Sequence, residues 1–184
     1  MKIPPQAKKV FTGVIFDVYQ WEQTLYDGST ATFEMLKRPD TVQVIAVADD
    51  KIVISKESQP MKENFMTILG GRIEAGEEPI AAAQRELLEE SGLVSTDWEL
   101  WKTHEPSGKI DWTVYTYIAR GCTKVQEPEL DPGEKITLQT LVWEDFLTIA
   151  TDKNFSAKDL AFDLLQMKAN PSTLEIFREK LFRK

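Results

Sequence analysis

The chain is poor in the residues that carry several common chemistries. Among 184 residues there is one cysteine, Cys122, so an intramolecular disulfide framework is excluded. There is one histidine, His104, and no serine or cysteine stands in a recognisable nucleophile motif with a plausible partner, so nucleophilic catalysis is not expected. Positive charge is also short: 22 Lys and Arg against 30 Asp and Glu leave a net charge of -8. That balance argues against a nucleic-acid partner held by a basic face. It also means that an anionic ligand must be met by local cationic side chains or by a metal. No apolar run approaches the length needed to cross a bilayer, and MKIPPQAKK lacks an apolar leader core, so we expect no membrane partner and a cytoplasmic location. There is no low-complexity tract and no internal repeat. What remains is ordinary globular usage, 42% hydrophobic and 28% charged, in a length that suits one domain with a small appendage.

Against this plain background the segment Gly71 to Leu93, GRIEAGEEPIAAAQRELLEESGL, stands out. Glu77-Glu78-Pro79 reads as a helix start, because acidic residues and proline suit the first turn. Ile80 to Glu90 is rich in good helix formers, and Gly92 supplies the stop. At roughly 100° per residue, Glu86, Glu89 and Glu90 share one face within an arc of about 100°. Ile80, Ala83 and Leu87 form a neighbouring stripe able to pack on a core. Like charges spaced this way cost a helix a few tenths of a kcal/mol per pair. A hard divalent cation with oxygen ligands relieves that repulsion. Alone, an acidic helix face is usually just solvated.

The spacing of the other residues changes that reading. Gly71, Glu77, Arg85-Glu86-Leu87, Glu89-Glu90 and Gly92-Leu93 match G-x5-E-x7-R-E-U-x-E-E-x-G-U, with U apolar, at every specified position. A chance match has a probability of about 10⁻⁷ in a chain this long. The segment resembles the signature of the Nudix hydrolases. The resemblance implies an enzyme that cleaves a diphosphate linkage with Mg²⁺, or alternatively Mn²⁺. It implies that Glu86, Glu89 and Glu90 hold the metal together with the backbone carbonyl of Gly70. It further implies that Arg85 and Glu77 pair to hold the loop, with Glu89 close enough to the chemistry to act as a catalytic group. Some members take a further general base from a loop after the box. In QEPELDPGE, residues 126–134, Glu134 matches that place, with Glu127 and Glu129 as fallbacks.

Elsewhere the pattern alternates between strands and helices. Val10 to Tyr26 reads as a strand, followed by a turn at Asp27-Gly28 and a second strand from Thr30 to Leu36. Val42 to Val47 and Lys51 to Ser55 read as a hairpin about Asp49-Asp50. Trp98 to Thr103, Trp112 to Ala119 and Ile136 to Val142 read as further strands. A short helix is expected over Glu144 to Thr151. Another is expected after Ser156, capped by an S-x-x-D box with Asp159 and stapled by Phe155 and Leu160. A terminal helix begins at Asn170-Pro171. We expect an α/β/α Nudix sandwich with a mixed sheet over residues 41–184, preceded by a small antiparallel β arm over residues 1–40.

The N-terminal stretch Val10 to Val47 resembles the ADP-ribose and nucleoside-diphosphate-sugar pyrophosphatase group of that family. There, an arm exchanged across a homodimer contributes to the base pocket. The resemblance places Phe16, Phe33 and Glu34 around a nucleobase and Arg38 on the diphosphate. The types suit those tasks: aromatic faces for stacking, a carboxylate to accept from an exocyclic amine, a guanidinium fork for phosphate. Packing within the strands is the competing reading for both phenylalanines, and a surface ion pair for Arg38. Two features depart from the group: Thr67-Ile68-Leu69-Gly70-Gly71 stands where E-L-P-A-G is common, and Pro106 lies 13 residues after Leu93 rather than roughly sixteen. The expected substrate is therefore a class, ADP-ribose or a nucleotide sugar. The alternatives are nucleoside triphosphates, dinucleoside polyphosphates, or nucleotide sensing without turnover.

Overall fold

The computed structural model describes residues 2–130 and 132–183; Asp131, inside the acidic loop, lies outside them. The chain opens with β1 (Lys8–Thr12), β2 (Asp17–Thr24) and β3 (Thr30–Lys37), joined as antiparallel hairpins. The single strand expected from Val10 to Tyr26 is thus two. Gly13 donates its N–H to the carbonyl of Phe16 at 2.9 Å, and a Cβ at Gly13 would fall on that same carbonyl. A tight reversal there needs the bare backbone of glycine. The expected turn at Asp27-Gly28 is present, with Gly28 at φ 84° and Asp27 accepting from the Ser29 N–H at 3.0 Å.

Next come β4 (Thr41–Ala48), β5 (Lys51–Gln59) and β6 (Lys62–Thr67), an antiparallel meander. Asp49 and Asp50 turn the first hairpin with φ of 49° and 57°, a conformation short polar side chains tolerate. β6 escapes sequence reading because Phe65 is its one fully buried residue, so it shows no alternation. Then follow α1 (Pro79–Ser91), β7 (Leu93–Val94), β8 (Asp97–His104), β9 (Ile110–Asp111), β10 (Val114–Arg120), β11 (Thr123–Lys124) and β12 (Lys135–Leu141). The chain ends with α2 (Trp143–Thr148), a 3₁₀ turn (Ile149–Thr151), α3 (Lys158–Lys168) and α4 (Pro171–Phe182). The S-x-x-D cap expected at Ser156 does not form. The residue before α3 is Ala157, and Ser156 Oγ instead meets Lys62 Nζ at 2.6 Å.

The main sheet has the order β12-β5-β4-β10-β8, with β6 paired to β5. Within it β4 and β10 run parallel, making the sheet mixed. β4 is central and buried on both faces, as its near-continuous apolar sequence demands. Val42, Val44 and Ala46 pack with Ala82, Ala83 and Leu87 of α1. Ile45 and Val47, on the opposite face, pack with Phe146, Leu160, Leu164, Phe177 and Leu181 from α2 to α4. Helix, sheet and helices form the expected α/β/α sandwich. A second sheet, β1-β2-β3-β9, takes its last strand from the middle of the chain, with β9 parallel to β3.

Candidate active site

The glycine-rich approach to α1 is laid along β4 by backbone bonds: Val44 N–H to Leu69 O at 2.8 Å, Val42 N–H to Gly71 O at 2.9 Å, Ile73 N–H to Asp40 O at 2.9 Å. Contact explains both glycines, with Gly70 against backbone and Gly71 against a side chain. A Cβ at Gly70, whose φ is 142°, would strike the Val42 carbonyl, and one at Gly71 would fall on the Glu86 carboxylate. α1 begins at Pro79 and ends at Gly92, which takes φ 69° and donates its N–H to Leu88 O at 2.7 Å. Glu129 donates its N–H to Glu89 O at 2.8 Å, and Val125 bonds Gly92 O at 2.9 Å. The post-box loop is thereby pinned across the C-terminal end of α1.

These elements enclose a cleft of about 930 Å³. Gly70, Glu86, Glu89, Glu90, Glu129 and Glu134 line it, together with Arg38, Arg72 and Arg85. Arg85 holds the loop to the helix. Its Nε and Nη2 each donate to Glu77 at 3.0 Å, and Nη2 also reaches Arg72 O at 3.0 Å. This is a bidentate guanidinium–carboxylate pair, and its hydrogen bonds hold Glu77 below its usual carboxylate range. Nη1 bonds Glu86 Oε1 and Glu89 Oε2, each at 2.9 Å.

Glu90 is 8% exposed and accepts from the Gly70 N–H at 2.8 Å. Burial pushes its carboxyl up to about 9 despite that bond, and the charges of Glu57, Glu86 and Glu134 add to the rise. Glu86 is raised for the same first reason, opposed by Arg85. So many carboxylates cannot all ionise in one partly dry place without a compensating cation. The donors are all oxygen, which suits a hard ion such as Mg²⁺ or Mn²⁺. Among the described residues no three of them converge into a ready ligand set; Arg85 Nη1 stands between Glu86 and Glu89.

The remaining expected residues divide. Arg38 lines the cleft, its guanidinium carbon 4.4 Å from the Trp112 ring centroid and 5.8 Å from that of Phe16. Phe16 therefore adjoins the cleft through Arg38 and does not line it. Phe33 packs near Trp21, at 6.1 Å between ring centroids, with Lys109 Nζ 5.3 Å above it. Glu34 accepts from Gln20 Nε2 at 2.8 Å. Consecutive residues of β3 point to opposite faces, and neither lines the cleft. Of the fallback carboxylates, Glu129 lines the cleft while Glu127 pairs with Lys124 at 2.7 Å outside it. Sequence reading missed three residues. Arg72 adjoins Gly71 inside the box and was legible there. Glu57 is a carboxylate on the buried side of β5, beyond Val53 and Ser55, and alternation could have found it. Trp112 owes its position to the pairing of β9 with β3, which no local signal announces.

A mixed sheet clad on both sides by helices, with a glutamate-lined cleft at one helix, defines the class. A family model described as NUDIX domain matches residues 37–163. The chain belongs to the Nudix family. It is 30% identical over 167 residues to the ADP-ribose pyrophosphatase of Bacillus subtilis (strain 168), covering 88% of this chain and 90% of that one. It is 26% identical over 170 residues to the methanol dehydrogenase activator of Bacillus methanolicus, covering 89% and 91% of the two. A solved structure described as an ADP compounds hydrolase superposes with a TM-score of 0.72, at 19% identity, over 96% of this chain and 92% of that one. This last likeness concerns the fold.

Proposed function

We propose that this chain hydrolyses ADP-ribose or a nucleoside diphosphate sugar, giving a nucleoside monophosphate and a sugar phosphate. The observation that carries the reading is the polarity of the cleft, in which Arg38 and Arg72 share one cavity with Glu86, Glu89, Glu90 and Glu134. A diphosphate needs cations on its non-bridging oxygens, and a hydrolase needs a base for water. The similarity to an ADP-ribose pyrophosphatase along most of both chains favours that substrate class.

Arg38 and Arg72 bind and orient the diphosphate. Glu86, Glu89 and Glu90, with the Gly70 carbonyl, would hold Mg²⁺ or Mn²⁺. When bound, the cation supplies Lewis-acid neutralisation of the diphosphate charge. Glu134 takes a proton from the attacking water, whose oxygen bonds to one phosphorus as the bridging P–O bond breaks. The electron pair leaves with the other phosphate. Glu89, the most exposed of the three box glutamates on α1, assists that proton transfer. Phe16, Phe33 and Glu34 serve the base side of the pocket in a homodimer whose arms exchange. Turnover of ADP-ribose, ADP-glucose, GDP-mannose, UDP-glucose, diadenosine polyphosphates, NADH and nucleoside triphosphates with Mg²⁺ tests the reading. Monophosphate plus sugar phosphate from the first four is expected. Pyrophosphate from triphosphates with the sugars untouched, or no turnover of any compound, overturns it.

A further inference from the structure

We infer that Trp112 is a positioning residue: it holds the Arg38 guanidinium in register with the diphosphate subsite. The inference rests on the diphosphate reading above and adds to it a residue that box and arm do not contain.

β9 runs parallel to β3, pairing Leu36 with Ile110 and Lys37 with Asp111. Arg38 and Trp112 each stand one residue past that last pair. Three bonds hold the two segments together around them: Arg38 N–H to Asp111 O at 3.3 Å, Thr41 N–H to Thr113 O at 3.0 Å, and Thr113 N–H to Asp40 Oδ1 at 2.7 Å. The indole is fixed in turn, because Trp112 Nε1 donates to Thr41 Oγ1 at 3.1 Å. A ring so held presents its face to Arg38 at 4.4 Å, within the range of a cation–π contact.

The chemistry of Arg38 explains why such support is needed. Its Nε is buried without a hydrogen-bond partner, while Glu77, Glu86 and Glu89 give their ion pairs to Arg85. A carboxylate would fix the guanidinium but would also occupy its donors and cancel its charge. An aromatic face fixes the plane while leaving the in-plane N–H groups for phosphate oxygens. Arg72 lines the same cleft and its charge opposes that of Arg38, so a neighbour that carries no charge of its own is suited to keep Arg38 in place.

The test is steady-state kinetics on ADP-ribose with Trp112→Leu, Trp112→Phe, Arg38→Ala and the double variant Trp112→Leu/Arg38→Ala, each checked for a cooperative melt. Loss of a cation–π contact predicts that Trp112→Leu raises KM about tenfold with kcat within about threefold, and that Trp112→Phe recovers most of the loss. In the Arg38→Ala background, Trp112→Leu should add little further, because the residue it positions is gone. A Trp112→Leu enzyme with unchanged KM, or one whose effect is fully additive with Arg38→Ala, overturns the inference. If Trp112→Leu does not fold, Trp112→Met, which also lacks an aromatic face, takes its place: KM raised about tenfold at kcat within about threefold, with little further effect in the Arg38→Ala background, supports the inference, and KM equal to that of the parent overturns it. A parent chain that turns over no diphosphate compound fails a different claim, the function proposed above.

Discussion

Glu90 faces three other carboxylates from a nearly dry position. Its folded form keeps a proton until about pH 9, whereas the unfolded chain gives it up near the ordinary 4.5. Between those values the folded state binds more protons, so this group makes stability fall as pH rises. A cation binding there must expel the proton, and its affinity therefore grows with pH through the same window. The rise in Tm on adding Mg²⁺ should be larger at about pH 8.5 than at about pH 6; an equal rise at both would separate Glu90 from the metal. Glu90→Gln keeps the shape and removes the charge. Activity should drop by about 10²-fold or more, as for other directly engaged groups, while the protein stays folded. Near-parent turnover across Mg²⁺ concentrations would contradict the ligand assignment. Arg85 differs in kind, because it holds Glu77, Glu86, Glu89 and the Arg72 carbonyl together. Arg85→Ala leaves those acceptors without their donor and should cost about 2–3 kcal/mol of stability as well as rate. Denaturant titration separates the two effects, and unchanged stability would make Arg85 purely catalytic.

At the scale of elements, two glycines bear on α1 in different ways, Gly92 at its C-terminal end and Gly71 against Glu86 within it. Gly92 sits at φ 69°, and a Cβ there would strike the Gln126 carbonyl of the loop that leads toward Glu134. Gly92→Ala should therefore lower Tm, with the left-handed conformation alone costing about 1 kcal/mol and the collision adding to it. Gly71 meets only the end of the Glu86 side chain, which can swing aside. Gly71→Ala should leave Tm nearly unchanged and reduce kcat/KM, because the displaced group is a cleft carboxylate. Melting and kinetics on the pair check this, and a Gly71→Ala protein with full activity would show that Glu86 tolerates displacement. The elements themselves were unevenly legible. α1, β4 and β10 follow from strong periodicity and end signals. β6 and the break between β1 and β2 did not, because one lacks alternation and the other hides a turn inside an apolar run.

For the molecule as a whole, the arm leaves apolar side chains in solvent: Phe11 is 60% exposed and Val14 99%. An open edge and apolar residues are a hazard that another subunit can cover. The expected assembly is a two-fold homodimer with the arm completing its partner's base pocket. Light scattering at micromolar concentration should report twice the mass of the chain, and a fully active monomer would remove both the dimer and the shared pocket. Among the described residues no helix is long and apolar enough to cross a membrane, in keeping with the absence of long apolar runs.

The box residues could be placed from sequence because helical spacing alone puts Glu86, Glu89 and Glu90 together, and the glycines at either end mark the turn and the stop. That depends on covalent geometry within 23 residues. Arg38 was legible through the family resemblance as a diphosphate-binding cation, against a surface ion pair, but its surroundings were not. Trp112 is 74 residues later (112 − 38) and meets it only because β9 lies parallel to β3. Glu57 acts on Glu90 for a similar reason: the charges of Glu57 and Glu134, carried on segments distant in sequence, both raise the Glu90 carboxyl. Local pattern determined which groups share a helix face. The crossing of separate strands decided which of them share a dielectric environment, and with it the protonation of Glu90 and the setting of Arg38.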